Sequence, residues 1–296
     1  MYTMLLVGML VSGLVFSFLL DDFSKFRLIQ VVQGCAFVAF FLNVVALWKQ
    51  EVRNPALTAP KLQRPSFRAT WNVFLQQPGN KRFLVALFMG TAAFSMQDII
   101  LEPYGGEILG LSVSATSLLT AIMAVGALLA FGLSARWLQR GINPHRLAAA
   151  GALVGALAFS LVIFAEPLGS ANVFRAGTFL IGFGGGLFSV ATLTAAMGLD
   201  SQGFTGLALG AWGAVQATAA GLAVFAGGAL RDVFSALAVH GQLGEVLNFA
   251  GVGYSLVYHL ELILLFATLV AVGPLVRLSR IKAPSSQKFG LAEFPG

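Results

Sequence analysis

Charge is what this chain has least of. Only 10% of its 296 residues are Asp, Glu, Lys or Arg, against roughly 25% in an ordinary soluble domain. A water-facing surface cannot be built from so little charge. One cysteine, Cys35, excludes an internal disulfide and any multi-cysteine metal site. The three histidines, His145, His240 and His259, are scattered, and no Ser-His-Asp, Walker or zinc spacing occurs, so nothing speaks for an enzyme. Gly182, Gly184, Gly185 and Gly186 do not make a nucleotide loop, because the run sits inside an apolar helical stretch rather than after a strand.

What is present is apolar length. Hydrophobic residues make up 57% of the chain and the mean hydropathy is +0.84. A helix crosses the bilayer with about 20 mostly apolar residues, and such stretches fall near 3–20, 29–48, 83–101, 112–134, 147–165, 172–197, 205–229 and 253–276. The expectation is an all-α, polytopic membrane helix bundle of about eight spans. The runs do not alternate, so they do not describe a β-barrel. The first run has no basic n-region and is followed closely by the second, which makes it a span rather than a signal peptide. The 34 glycines suit helices that pack closely in lipid, and Gly182, Gly184, Gly185 and Gly186 are assigned to such packing, with a groove for a flat ring or a neighbouring helix as a further use.

Basic residues in the connections orient the bundle. Lys49, Arg53, Lys61, Arg64, Arg68, Lys81 and Arg82 face Glu51 alone between the second and third spans. Arg136, Arg140 and Arg146 follow the fourth span, and Arg277, Arg280, Lys282 and Lys288 follow the eighth. The opposite connections are acidic or balanced, with Asp21, Asp22, Lys25 and Arg27 between the first two spans and Glu102 and Glu107 after the third, so both termini are expected in the cytoplasm. The net charge of +6 then answers to an anionic leaflet and not to nucleic acid. Four segments follow: two spans over 1–48, a proline-containing cytoplasmic loop over 49–82, six spans over 83–277 and a tail over 278–296. Within the loop, Phe67, Trp71, Phe74 and Leu75 recur at helical spacing and predict an interfacial helix. Residues 231–250, with Val233, Leu237 and Leu243 against Arg231, Asp232 and Glu245, predict a weakly amphipathic stretch resting on the outer face.

Ionisable groups inside a membrane mark the places to look for function. Asp98 and Glu102, four apart, are expected to share one helix face beside Gln97 near the outer interface. Pairing of Asp98 with Arg175, a ligand or partner role, and proton coupling all remain open. His259 and Glu261 lie about 10 Å into the last span. Two residues apart, they point to different faces and cannot hold one metal together. A lone membrane histidine is ordinarily a packing residue; ligation of a metal by its neutral imidazole is the alternative.

Two stretches carry a family resemblance. Gly132-Leu133-Ser134-Ala135-Arg136-Trp137-Leu138-Gln139-Arg140-Gly141, behind a basic central loop and ahead of the last four spans, resembles the second half of a major facilitator transporter, with Ala135 or Arg136 where that superfamily has an aspartate. Phe94-Ser95-Met96-Gln97-Asp98-Ile99-Ile100-Leu101-Glu102-Pro103-Tyr104-Gly105-Gly106-Glu107 and the residues on to Val113 resemble the signature of the PucC-like, bacteriochlorophyll-delivery branch of that superfamily. Weaker similarity takes in Gly182 to Phe188 and Tyr254 to Glu261. The resemblance implies a membrane assembly factor for light-harvesting complexes, with the lipid bilayer, antenna polypeptides and bacteriochlorophyll as partners and bacteriochlorophyll as cargo. It points to Gln97, Asp98, Glu102, Tyr104, His259 and Glu261, with Arg175, as ligand-binding residues. It also implies twelve spans, so the first four are expected to be missing, which leaves a proton-coupled solute transporter or an inactive truncated fragment as the competing expectations.

Overall fold

The computed structural model describes residues 2–47, 66–199, 205–244 and 251–281, together with Leu247 and Phe249. Lys49, Glu51, Arg53, Pro55, Pro60, Lys61, Arg64, Pro65, Asp200, Glu245 and the tail from Lys282 lie outside the described residues. Ten α-helices are described: α1 (Tyr2–Leu19), α2 (Lys25–Leu47), α3 (Phe67–Gln76), α4 (Asn80–Ser95), α5 (Leu101–Glu107), α6 (Val113–Gln139), α7 (Pro144–Ala165), α8 (Ala171–Met197), α9 (Thr205–Val239) and α10 (Val252–Ile281). The protein is an all-α polytopic bundle. Seven stretches are long and apolar enough to cross a membrane, with α4 and α5 counting as one, and α1 is a shorter apolar helix over Thr3–Leu19.

Local chemistry sets the helix starts. Ser112 accepts from the Ala115 amide at 3.2 Å, Ser170 from Val173 at 3.4 Å, and Asn143 from His145 at 2.8 Å with Pro144 at the first helical position. Gly141, at φ +79°, turns the chain between α6 and α7 in a backbone region that a side chain would strain. The Gly132–Gly141 element is therefore mostly helix: α6 runs through Gln139, and only its end is a turn.

α6, α7 and α8 pack side by side, α10 lies against α4, α7 and α9, and α1 lies against α6. The core has two centres. Tyr104, Phe159, Phe174, Tyr254 and Tyr258 form one, Leu87, Leu147, Leu187, Phe188 and Trp212 the other, and Phe94 packs against both. α2 stands apart, with Val31 as its buried residue. The helix expected from Phe67, Trp71, Phe74 and Leu75 is α3, whose Phe67, Trp71 and Phe74 rings stack in sequence at 6.0 and 5.7 Å. Of the stretch expected over 231–250, residues 231–239 continue α9, and Arg231 sits within that helix.

Pro274 lies inside α10 and has no N–H for the Val270 carbonyl four residues earlier. Arg82, at the start of α4, supplies that donor. Its guanidinium reaches the carbonyls of Val270 at 3.0 Å and Ala271 at 2.8 Å, which ties the first turn of α4 to the proline-containing turn of α10.

Candidate functional site

The third apolar run does not continue as one helix. α4 ends at Ser95, a 3₁₀ turn occupies Met96–Ile99, and α5 begins at Leu101. Pro103 is the reason in the sequence: in the first turn of α5 its missing N–H costs nothing, but in an unbroken helix it would orphan the Ile99 carbonyl. Gly227 of α9 makes room for the turn. A Cβ there would overlap the Met96 carbonyl, whereas one at Gly228 would touch Ile99 at an ordinary 3.6 Å. A break inside a span puts polar backbone and side chains where a continuous helix would present only an apolar surface, and discontinuous spans line the binding sites of many membrane proteins.

Gln97 and Asp98 ride on this turn. Gln97 is 1% exposed. Its amide Nε2 donates to the Asp98 carboxylate, to the Phe94 carbonyl at 3.3 Å and towards the Met123 sulfur at 3.8 Å. Its Oε1 is buried and has no hydrogen-bond partner. On the neighbouring α10, Glu261 is 0% exposed, neither of its oxygens makes a well-formed hydrogen bond, and the Gln97 backbone, Asp98 and Tyr258 are its polar neighbours. The fold thus gathers Gln97, Asp98 and Glu261 around one backbone break. Buried polar atoms without partners are rare, and here Gln97 and Glu261 both carry them.

Asp98 opens on a cavity of about 260 Å³ between α1, the turn, α6 and α8. Met9, Phe94, Met123 and Phe131 form its walls, and Gly182, Gly185 and Gly186 lie along one side. The four glycines serve two ends. Added Cβ atoms at Gly182 and Gly186 would press on Met123 and Ala127 of α6, and one at Gly184 on Gly151 and Gly155 of α7. At Gly185 a Cβ would meet only the Phe94 ring, at an ordinary 3.5 Å. Three glycines hold helices together and the fourth keeps the cavity open.

The other expected residues lie elsewhere. Glu102 lies beyond the turn that carries Asp98 and accepts from Thr120 of α6 at 2.7 Å. Arg175 does not pair with Asp98; it donates to Asn172 at 3.2 Å, within its own helix. Tyr104 is 2% exposed among Phe174, Tyr254 and Tyr258 at 5.4–5.5 Å, and its hydroxyl donates to the Val162 carbonyl at 3.4 Å. His259 is exposed, on a different face from Glu261. Among the described residues no group of three or more His, Cys, Asp or Glu could hold a metal ion.

Residues 1–280 match the model of the PUCC protein family. The chain belongs to that family. A protein of the puhA–bchM intergenic region of Rhodobacter capsulatus is 49% identical over 300 residues, covering 100% of this chain and 63% of the relative. Protein PucC of Cereibacter sphaeroides is 43% identical over 277 residues, 94% of this chain and 59% of the relative. The bacteriochlorophyll synthase 44.5 kDa chain of Rhodobacter capsulatus is 29% identical over 242 residues, 78% of this chain and 55% of that one. The chain spans less than two thirds of the length of each of these relatives.

In this PUCC family chain one polar network escaped the sequence reading. Arg231 of α9 donates to Glu107 at the end of α5, to Asp232 and to the Tyr254 hydroxyl of α10, with its guanidinium 4.6 Å from the centre of the Tyr254 ring. Tyr254 also donates to Glu107 at 2.7 Å. The apolar run Ala236–Val239 beyond Arg231 was the available sign that α9 continues past the charge. A larger groove of about 630 Å³ lies between α3 and α9, bounded by Phe67, Trp71, Phe88, Gly206, Gly210 and Ala214. Its nearly all-apolar lining offers little that could orient a ligand, which ranks it below the Asp98 cavity as a recognition site.

Proposed function

We propose that this protein is a membrane assembly factor for photosynthetic light-harvesting complexes, binding or delivering bacteriochlorophyll, antenna polypeptides or both. In this reading it works in the bacterial inner membrane with both termini in the cytoplasm and has no catalytic step. The observation that carries the reading is the break at Met96–Ile99: within the stretch that matches the PUCC family, it sets Gln97 and Asp98 beside a glycine-lined cavity. At about 260 Å³ that cavity falls below the roughly 300–1,000 Å³ of small-molecule sites. It therefore takes part of a ligand, a tail or the edge of a ring, or a side chain of a partner helix, while the rest stays in the lipid.

Purification from a pigmented host tests this. Bacteriochlorophyll or antenna polypeptide should co-purify, and Asp98→Asn should lower the antenna content of the membranes. If neither co-purifies and the variant leaves antenna levels unchanged, the reading falls. The buried carboxyl of Glu261 beside Asp98 is the one observation that favours a proton-coupled solute transporter instead. Proton-driven uptake into vesicles reconstituted with the protein alone would replace our reading with that one.

A further inference from the structure

His259 is exposed on the surface of α10. Its Nδ1 lies 2.6 Å from the carbonyl oxygen of Ser255, one turn earlier, with the Ser255 hydroxyl at 3.3 Å. A carbonyl only accepts, so Nδ1 carries the proton, and in the neutral ring the lone pair is on Nε2. Nε2 has no hydrogen-bond partner among the described residues. The side chain is exposed and begins a stripe that continues through Ile263 (62% exposed), Phe266 (58%) and Val270 (72%). At helical rise it sits about 10 Å inside the start of α10, where hydrocarbon rather than water surrounds it.

The other two histidines provide the contrast. His240 makes the same contact, Nδ1 to the Ala236 carbonyl at 2.7 Å, but just past the end of α9, where water reaches the free nitrogen. His145 packs edge-on against Phe83 with 6.1 Å between ring centres. A ring nitrogen with a fixed tautomer and an open lone pair is how a metal-binding imidazole is prepared: the backbone carbonyl on the other nitrogen orients the ring and raises its basicity. In hydrocarbon the partners for that lone pair must come from the lipid phase. A flat apolar molecule with a coordinatively open metal at its centre suits both the nitrogen and the aliphatic and aromatic stripe beside it.

We propose that Nε2 of His259 is the axial ligand for a magnesium tetrapyrrole docked on the lipid-facing side of α10. The inference rests on the pigment-handling reading above and assigns its metal contact. The whole chain in lipid nanodiscs is titrated with bacteriochlorophyll a and with its magnesium-free counterpart. The wild type should bind the magnesium form more tightly, with the absorption change of a new axial ligand. His259→Ala and His259→Gln should each weaken binding of the magnesium form by at least about tenfold and leave the metal-free form unaffected. Added imidazole should restore the alanine variant, and His240→Ala should behave as wild type. Equal binding of the two pigments by the wild type, or undiminished magnesium-pigment binding by both His259 variants, overturns the ligand assignment while leaving the assembly reading intact. A wild type that binds neither pigment overturns the assignment and the pigment half of that reading together.

Discussion

Gly184 and Gly185 are neighbours in sequence, yet the packing predicts opposite outcomes for the same substitution. A Cβ at Gly184 would lie 2.9 Å from the Gly151 carbonyl oxygen and 2.9 Å from the Gly155 nitrogen, both backbone atoms of α7, where ordinary contact starts at 3.4 Å. Neither atom can swing aside, so α7 and α8 must part by about 0.5 Å along that seam. At Gly185 the new methyl meets only the Phe94 ring at 3.5 Å. Both substitutions gain the same helix propensity, about 1 kcal/mol for Gly to Ala. Their difference therefore isolates the packing term, about 1–3 kcal/mol for an overpacked interior. With 2–4 °C per kcal/mol for a protein of this size class, Gly184→Ala should melt roughly 2–12 °C below Gly185→Ala. Thermal unfolding in one detergent, followed by circular dichroism, measures it. If the two variants melt within about 1 °C of each other, the division of the glycine run into packing and cavity positions is wrong. Gly185→Ala carries a second expectation under the proposed function: an intact fold with a narrowed cavity and reduced antenna assembly.

Three further outcomes follow from the polar contacts. Arg82→Ala should cost about 1–3 kcal/mol by leaving the Val270 carbonyl unpaired, and should cost less in a Pro274→Ala background, where the helix can supply that N–H itself; chemical denaturation of the four-variant cycle reads the coupling. Arg231→Ala should remove about 1–2 kcal/mol and loosen the ends of α5, α9 and α10 together, seen as faster amide exchange there, with Arg231→Lys intermediate because it keeps the charge but loses the fork. Glu166, just past α7, is pushed above the usual carboxylate range by burial. Between the ordinary and the raised value the folded state holds more protons than the unfolded one, so this group's stabilising contribution is complete below the ordinary range and is lost as pH rises through the raised value. Glu166→Gln should flatten that part of the stability profile, and unfolding midpoints measured from pH 4 to pH 8 would show an unchanged slope if the burial argument is wrong.

The sequence by itself determined that the chain is a membrane helix bundle and where nearly all spans run. Both follow from apolar length, a property of contiguous residues. It also separated His259 from Glu261, because helical geometry alone puts residues two apart on different faces. Only the tertiary structure decided what those residues meet. The break at Met96–Ile99 needs Gly227 of α9 as well as Pro103. Arg175 turns to Asn172 rather than to Asp98, and Arg231 belongs to a helix that continues past it because Glu107 and Tyr254 receive its charge. The division of labour among Gly182, Gly184, Gly185 and Gly186 is invisible in four nearly consecutive letters. It depends on which helix, or which cavity, lies opposite each Cα, and that is fixed by contacts between residues far apart in the chain.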